Sequence, residues 1–380
     1  MSGNIKAFVG AQIHDGQFLL DAHALLRMSN GEFKVLPEGH LPEGCPKTTL
    51  DGGLIIPGFV DLQVNGGGGE MFNDDQSVAA LRTIAVAHAT TGTQALLPTL
   101  ITDTPERTRA AIDAVEAAIA ENVEGIIGIH LEGPHLSVAR KGAHDPNLIR
   151  AMTDDDLALM LSAADRLPNV MVTVAAENTT LDQIKSMSQA GIIVSMGHTD
   201  ADRDTCHSVF DAGAQCVTHL FNAMSQLGNR EPGLVGATLE RDDVYAGIIA
   251  DGIHVHPTSI RIALAAKPKS ERIFLVTDAM ATAGSQIDSF MINDREVFRK
   301  DQRLTLADGT LAGADLEMPR ALAVMIDSVR DDLTAAVARA TSVPAALLRE
   351  SGNLGRIGDT LQAPLYFENG FSKPLSIFCV

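Results

Sequence analysis

No run of eighteen or more apolar residues occurs in this sequence, so it offers no membrane-spanning helix. Its opening stretch, MSGNIKAFVG, lacks the charged-then-apolar order of a secretory signal. Both absences lead us to expect a soluble, cytoplasmic protein. The four cysteines, Cys45, Cys206, Cys216 and Cys379, form no CxxC pair, which argues against a zinc ribbon and a disulfide framework alike. We expect them to be reduced bystanders. Positive charge is scarce as well: 29 Lys and Arg stand against 48 Asp and Glu, a formal net charge of -19. Nucleic acid and anionic membrane are therefore poor partners, because phosphate backbones call for a basic surface. An anionic small molecule fits where a few basic residues meet locally. No internal repeat or low-complexity tract stands out.

With 380 residues and 45% hydrophobic content, the chain can bury the core of one large α/β domain with an accessory domain. From residue 54 onward eight β-rich runs follow one another: LIIPGFVDLQV, TQALLPTL, GIIGIHLEG, VMVTVAAEN, IIVSMGH, CVTHL, YAGIIADG and RIFLVTDAM. Segments such as PERTRAAIDAVEAAIAE lie between them, with apolar residues at helical spacing. Thr153 with Asp156 reads as the capped start of one such helix. Eight βα units predict a closed parallel (β/α)8 barrel of the TIM type over residues 54–351, with a β excursion at 285–311. Residues 1–53 and 352–380 read instead as short strands broken by turns such as HDG, SNG and ENG. They predict a small β-sandwich domain built from both termini.

Active sites of such barrels lie at the carboxyl ends of the strands. Here those ends carry Gln63 and Asn65, His130 and Glu132, Glu177, His198, His219, Asp251 with His254 just beyond, and Asp278. A lone His or Asp after a strand is ordinarily a cap or loop residue. The combination says more. Imidazole nitrogens and a carboxylate oxygen are the ligands a divalent metal such as zinc takes, and three of them with one open position describe a catalytic site. Glu132, His198 and His219 supply that set. A cation held there makes water nucleophilic near neutral pH, and a neighbouring carboxylate can carry the proton; Asp278, on the strand that closes the barrel, is the candidate.

The motifs HLEGPHL (130–136), GHTDA (197–201), THLFNAM (218–224), GNREPG (228–233), IADGIHV (249–255), LVTDAM (275–280) and LAGADLEM (311–318) occur in register along nearly the whole barrel. Together they resemble the N-acetylglucosamine-6-phosphate deacetylases of the amidohydrolase superfamily. The resemblance implies hydrolysis of N-acetyl-D-glucosamine 6-phosphate to D-glucosamine 6-phosphate and acetate in amino-sugar catabolism, by a cytoplasmic homodimer or higher homo-oligomer. It implies Glu132, His198 and His219 as metal ligands and Asp278 as the proton shuttle. It also implies substrate contacts at Ala143, His144, Asn222, Ala223, Arg230, Ile253, His254, Leu311, Ala312 and Gly313.

Amidohydrolases with two metals usually end the first strand in HxH, where this chain has DLQVN. Gln63 and Asn65 are neutral, weakly donating amides and poor ligands. A single divalent cation per subunit is therefore expected, zinc first, with iron, manganese or cobalt as alternatives. The two amides are expected to hydrogen-bond around it. Gly66 to Gly69 lack the GK[ST] of a phosphate loop and read as a flexible or tightly turned loop. Arg230 is the candidate phosphate partner because its planar fork can grip two oxygens. Either Arg230 or His254 could serve a neighbouring subunit's site. Pro364 stands in the last strand region, where it cannot donate a ladder hydrogen bond. Two other readings stay open: deacetylation of the galactosamine epimer, and a catalytically inactive oligomeric scaffold.

Overall fold

A computed structural model describes residues 5–292, 295–358 and 360–377. Its centre is a parallel barrel of eight strands: β1 (Phe59–Val64), β2 (Thr93–Ile101), β3 (Ile129–Glu132), β4 (Val170–Val174), β5 (Ile193–Met196), β6 (Cys216–Val217), β7 (Tyr245–Ile248) and β8 (Ile273–Leu275). Each strand pairs with its neighbour in chain order from β1 to β8. Nearly every strand residue is buried, as expected of a parallel sheet covered on both faces.

Helices α1 (Val78–Ala89), α2 (Pro105–Ala120), α3 (Asp154–Arg166), α4 (Leu181–Gln189), α5 (Arg203–Ala212), α6 (Gly233–Glu240) and α7 (Pro257–Ala266) return the chain between strands. Their starts are written in side chains. Thr104 precedes Pro105 and accepts from the Arg107 amide, so α2 combines a capping oxygen with a proline whose missing N–H has no partner to lose. At α3 the Thr153 hydroxyl accepts from Asp156 N, and the Asp156 carboxylate accepts from Thr153 N at 3.0 Å, the reciprocal cap expected from the sequence.

The β excursion forms a four-stranded antiparallel flap, β9 (Ser289–Ile292), β10 (Arg295–Lys300), β11 (Arg303–Leu306) and β12 (Leu311–Ala314). Its inner face, with Phe290, Ile292, Val297, Leu304 and Leu306, packs with Met71, Ile101 and Met280 into a satellite core at the barrel mouth. The chain ends meet in one sheet, where Leu365–Phe367 pairs antiparallel with Leu54–Ile56, beside Gln12–His14 and Leu19–Leu20. Pro364 falls just before that strand and interrupts no ladder bond. A second sheet joins Lys6–Val9, His23–Arg27, Phe33–Pro37 and Lys47–Thr49. Among the described residues no helix is long and apolar enough to cross a membrane.

Candidate active site

Three strand extensions end in the left-handed region: His198 has φ 48°, His219 33° and Asp278 50°. Non-glycine residues adopt it rarely and at a cost of about 1–3 kcal/mol, so the barrel must hold them there. All three side chains line one cavity with Glu132, which arrives from β3. The Nε2 atoms of His198 and His219 lie 3.1 Å apart, and 3.2 and 3.0 Å from Glu132 Oε1.

The pattern of protons tests whether this trio suits a cation. His198 Nδ1 is 2.8 Å from the Arg140 carbonyl, an acceptor only, so Nδ1 carries the hydrogen. In the neutral ring Nε2 is then a bare acceptor facing a carboxylate oxygen and another imidazole nitrogen. His198 Nε2 and Glu132 Oε1, two acceptors 3.2 Å apart, repel each other unless a cation sits beside them, and two nitrogens with one carboxylate oxygen are a first-row divalent donor set. The residues fit the metal expected from the sequence.

Gln63 occupies the place of a second-metal ligand. Its Nε2 lies 3.3 Å from both Glu132 oxygens and 3.1 Å from Asp278 Oδ1. N–H groups thus occupy the ground between the two carboxylates, where a second cation would need lone pairs. Asn65 Nδ2 adds a 2.7 Å bond to Asp278 Oδ1, leaving Oδ2 without a partner among the described residues. Burial, and next the negative charge of Glu132, push the Asp278 carboxyl up to about 6.

The two further histidines have fixed tautomers as well. Thr102 N donates to His144 Nδ1 at 3.4 Å, and the Thr102 hydroxyl lies 2.7 Å from the same atom, so Nε2 bears the proton. Burial, then the adjacent His198, lower its pKa to about 3, and the ring is a neutral donor. His254 Nδ1 donates to Asp251 Oδ2 at 2.6 Å, while Asp251 Oδ1 accepts from the amides of Ile253 and His254.

A cavity of about 390 Å³ opens over this cluster. Its wall brings together Asn65, Glu132, Ala143, His144, His198, His219, Asn222, Ala223, His254, Asp278, Leu311 and Gly313. Gln63 lies behind that wall. Ile253 and Ala312 do not line the cavity, and Arg230 lies exposed on the loop before α6. Glu177, a polar strand end, ties down the turn after His198 instead, accepting from Thr199 Oγ1 and Asp200 N at 2.5 and 2.7 Å.

The sequence reading missed Arg140, which lines the cavity, pairs with Asp200 at 2.7 Å and lends its carbonyl to His198. It missed Ile292 and Thr310 of the flap too. The basic pair in ARKGAH beside HLEGP was the available signal for Arg140. The four glycines form a tight turn, with Gly66–Gly67 paired to Glu70–Met71 and His88 Nε2 donating to the Gly66 carbonyl at 2.9 Å. A side chain at Gly67 would meet the His88 ring at 2.9 Å.

The amidohydrolase family matches residues 54–359. An N-acetylgalactosamine-6-phosphate deacetylase of Shewanella sp. (strain ANA-3) is 41% identical over 91% of this chain and 93% of its own. An N-acetylglucosamine-6-phosphate deacetylase of Haemophilus influenzae is 35% identical over 86% of each chain. Among solved structures, the N-acetylglucosamine-6-phosphate deacetylase of Pasteurella multocida superposes with a TM-score of 0.91 at 34% identity, covering 98% of this chain and 97% of its own. Family, barrel and metal-compatible trio agree: this chain belongs to the amidohydrolase family, whose members are metal-dependent hydrolases.

Proposed function

We propose that this chain hydrolyses the acetamido group of N-acetyl-D-glucosamine 6-phosphate, giving D-glucosamine 6-phosphate and acetate in amino-sugar catabolism. The observation that carries the reading is the meeting of Glu132, His198, His219 and Asp278 in one cavity, in a chain whose relatives are named for this chemistry. Glu132, His198 and His219 would hold a divalent cation, which would supply Lewis acidity toward water and the amide carbonyl. Zinc is the cation we propose, with one ion per subunit.

Asp278 Oδ2 accepts the proton of the attacking water and returns it to the departing amine. Its other oxygen is held by Asn65 and Gln63, so the carboxylate cannot turn away. The Nε2–H of His144 donates to the oxygen that gains charge as the carbonyl becomes tetrahedral. His254, oriented by Asp251, meets the sugar or its phosphate. Asn222, Ala223, Leu311 and Gly313 shape the sugar pocket, with Ala143, Ile253 and Ala312 supporting it. Arg230, exposed on the loop before α6, offers its fork to the phosphate of its own or a neighbouring subunit. We propose a cytoplasmic homodimer, and a division into a barrel at 54–351 and a terminal β domain at 1–53 and 352–380.

A second reading, the galactosamine epimer as substrate, is favoured by the 41% identical Shewanella relative. It needs almost the same site. An inactive scaffold would be expected to have lost part of the trio or Asp278, and all four are in place. Acetate release from the two sugar phosphates, measured side by side with bound metal, tests all three readings. Release from the glucosamine compound at the higher kcat/KM supports the proposal, preference for its epimer favours the second reading, and no release from either with metal bound contradicts both.

A further inference from the structure

We infer that Asp61, the first residue of DLQVN, is a positioning residue that holds Asp278 through Thr277 across the seam where the barrel closes. The inference rests on the proton-carrying role proposed for Asp278. Neighbouring barrel strands share ladders everywhere except between β8 and β1. There the described backbone contacts come beyond the end of β8, with Asp278 N donating to the Gln63 carbonyl at 3.0 Å and Asn65 N to the Ala279 carbonyl at 2.8 Å. Below them one side chain stitches the seam. Asp61 Oδ2 accepts the Thr277 hydroxyl at 2.5 Å, and Oδ1 accepts the amides of Thr277 and Gln63 at 3.3 and 3.2 Å.

The Thr277 hydroxyl in turn accepts the Ala279 amide at 3.3 Å. Asp278 is thereby bracketed, the residue before it bonded to Asp61 and the residue after it bonded to Thr277. This bracket surrounds a left-handed residue that the backbone alone disfavours. The same carboxylate fixes the Gln63 amide, whose side chain spans Glu132 and Asp278.

Asp61 and Thr277 are both fully buried, and among the described residues no Lys, Arg or His bonds to Asp61. A buried carboxylate without a cation is a costly way to close a seam that apolar packing could close. Its position two residues before Gln63, which tethers Asp278 by backbone and side chain, gives that cost a use. The chemistry also excludes the isosteric amide. Three donors converge on Asp61, and an amide turned to serve the two backbone N–H groups points its own N–H at the Thr277 hydroxyl, whose proton then lacks an acceptor.

Asp61→Asn, Thr277→Val and Thr277→Ser, assayed in the metal-loaded enzyme, test the inference. We expect Asp61→Asn and Thr277→Val each to lower kcat by on the order of ten- to a hundredfold, with KM and bound metal unchanged. Thr277→Ser, which keeps the hydroxyl, retains the parent rate, and the double variant Asp61→Asn/Thr277→Val is no slower than Asp61→Asn alone. Parent kcat in Asp61→Asn or Thr277→Val, or a loss of kcat matched by loss of metal, would overturn it. Should Asp61→Asn not fold, Thr277→Val against Thr277→Ser decides alone. The crystal structure of Thr277→Val gives a readout independent of any substrate: Asp278 displaced from Gln63 and Asn65 supports positioning, and Asp278 unmoved refutes it even if the proposed reaction proves wrong.

Discussion

In the role proposed for it, Asp278 would have to be an anion to take a proton and an acid to give it back, and its surroundings suit both. Burial and Glu132 raise its pKa to about 6, while donors from Gln63 and Asn65 keep one oxygen engaged. A carboxyl with a raised pKa is ionised above that value and protonated below it, so catalysis by the anion fails on the acid side. A cation beside Glu132 pulls the value down. The account therefore expects kcat to fall tenfold per pH unit on an acid limb at or below about pH 6, and a pH–rate profile checks it. Asp278→Asn should keep the metal and lose at least about a hundredfold in kcat; near-parent deacetylation would remove the shuttle from Asp278. His198→Ala should release the cation, read as metal content after dialysis.

These residues were legible because each ends a strand, and the strand pattern alone predicts where such residues converge. Their partners were not. The acceptor that fixes the His198 tautomer is the carbonyl of Arg140, a backbone atom without a side-chain signature. Asp251 and Glu177 looked alike in sequence, yet one orients a cavity histidine and the other ties a turn.

Among elements, the flap shows most clearly how local structure reaches the site. β12 passes beside the strand-eight extension, with Ala314 N donating to the Asp278 carbonyl at 2.9 Å. Gly313 sits there with φ 65°, and an added Cβ would lie 2.5 Å from the Met280 side chain and 3.0 Å from the Asp278 carbonyl. Gly313→Ala should therefore destabilise the protein by about 1–3 kcal/mol in chemical denaturation and raise KM, since the strand must shift from the cavity wall. Unchanged stability and KM would show that β12 is not held there. The excursion after strand eight was readable from its NDRE and ADG turns. Its folding over the cavity was not, because it depends on long-range apolar contacts such as Ile292 and Leu304 with Met71 and Ile101.

Across the whole molecule, an acidic chain with a net charge of -19 concentrates its metal-compatible donors in one place. Among the described residues, Glu132, His198 and His219 form the one group of three or more such side chains whose ligand atoms lie within 4.8 Å of one another. Binding to the folded state alone links cation to stability, so chelation should lower the unfolding free energy by about 4 kcal/mol for an ion present at a thousand times its Kd. Thermal melts with and without chelator measure this, and identical melts would mean that no cation was bound. The closed barrel was readable from eight repeated βα units, whereas the way its seam closes was not, since only the folded chain shows that β1 meets the extension beyond β8 through backbone bonds and the Asp61 side chain.

The most direct test is to strip the protein of metal and titrate zinc back while recording acetate released from N-acetyl-D-glucosamine 6-phosphate. The account expects a rate near zero without metal, rising in proportion to added ion and breaking at one equivalent per chain. Full activity in the stripped protein, or a break at two equivalents, would contradict it.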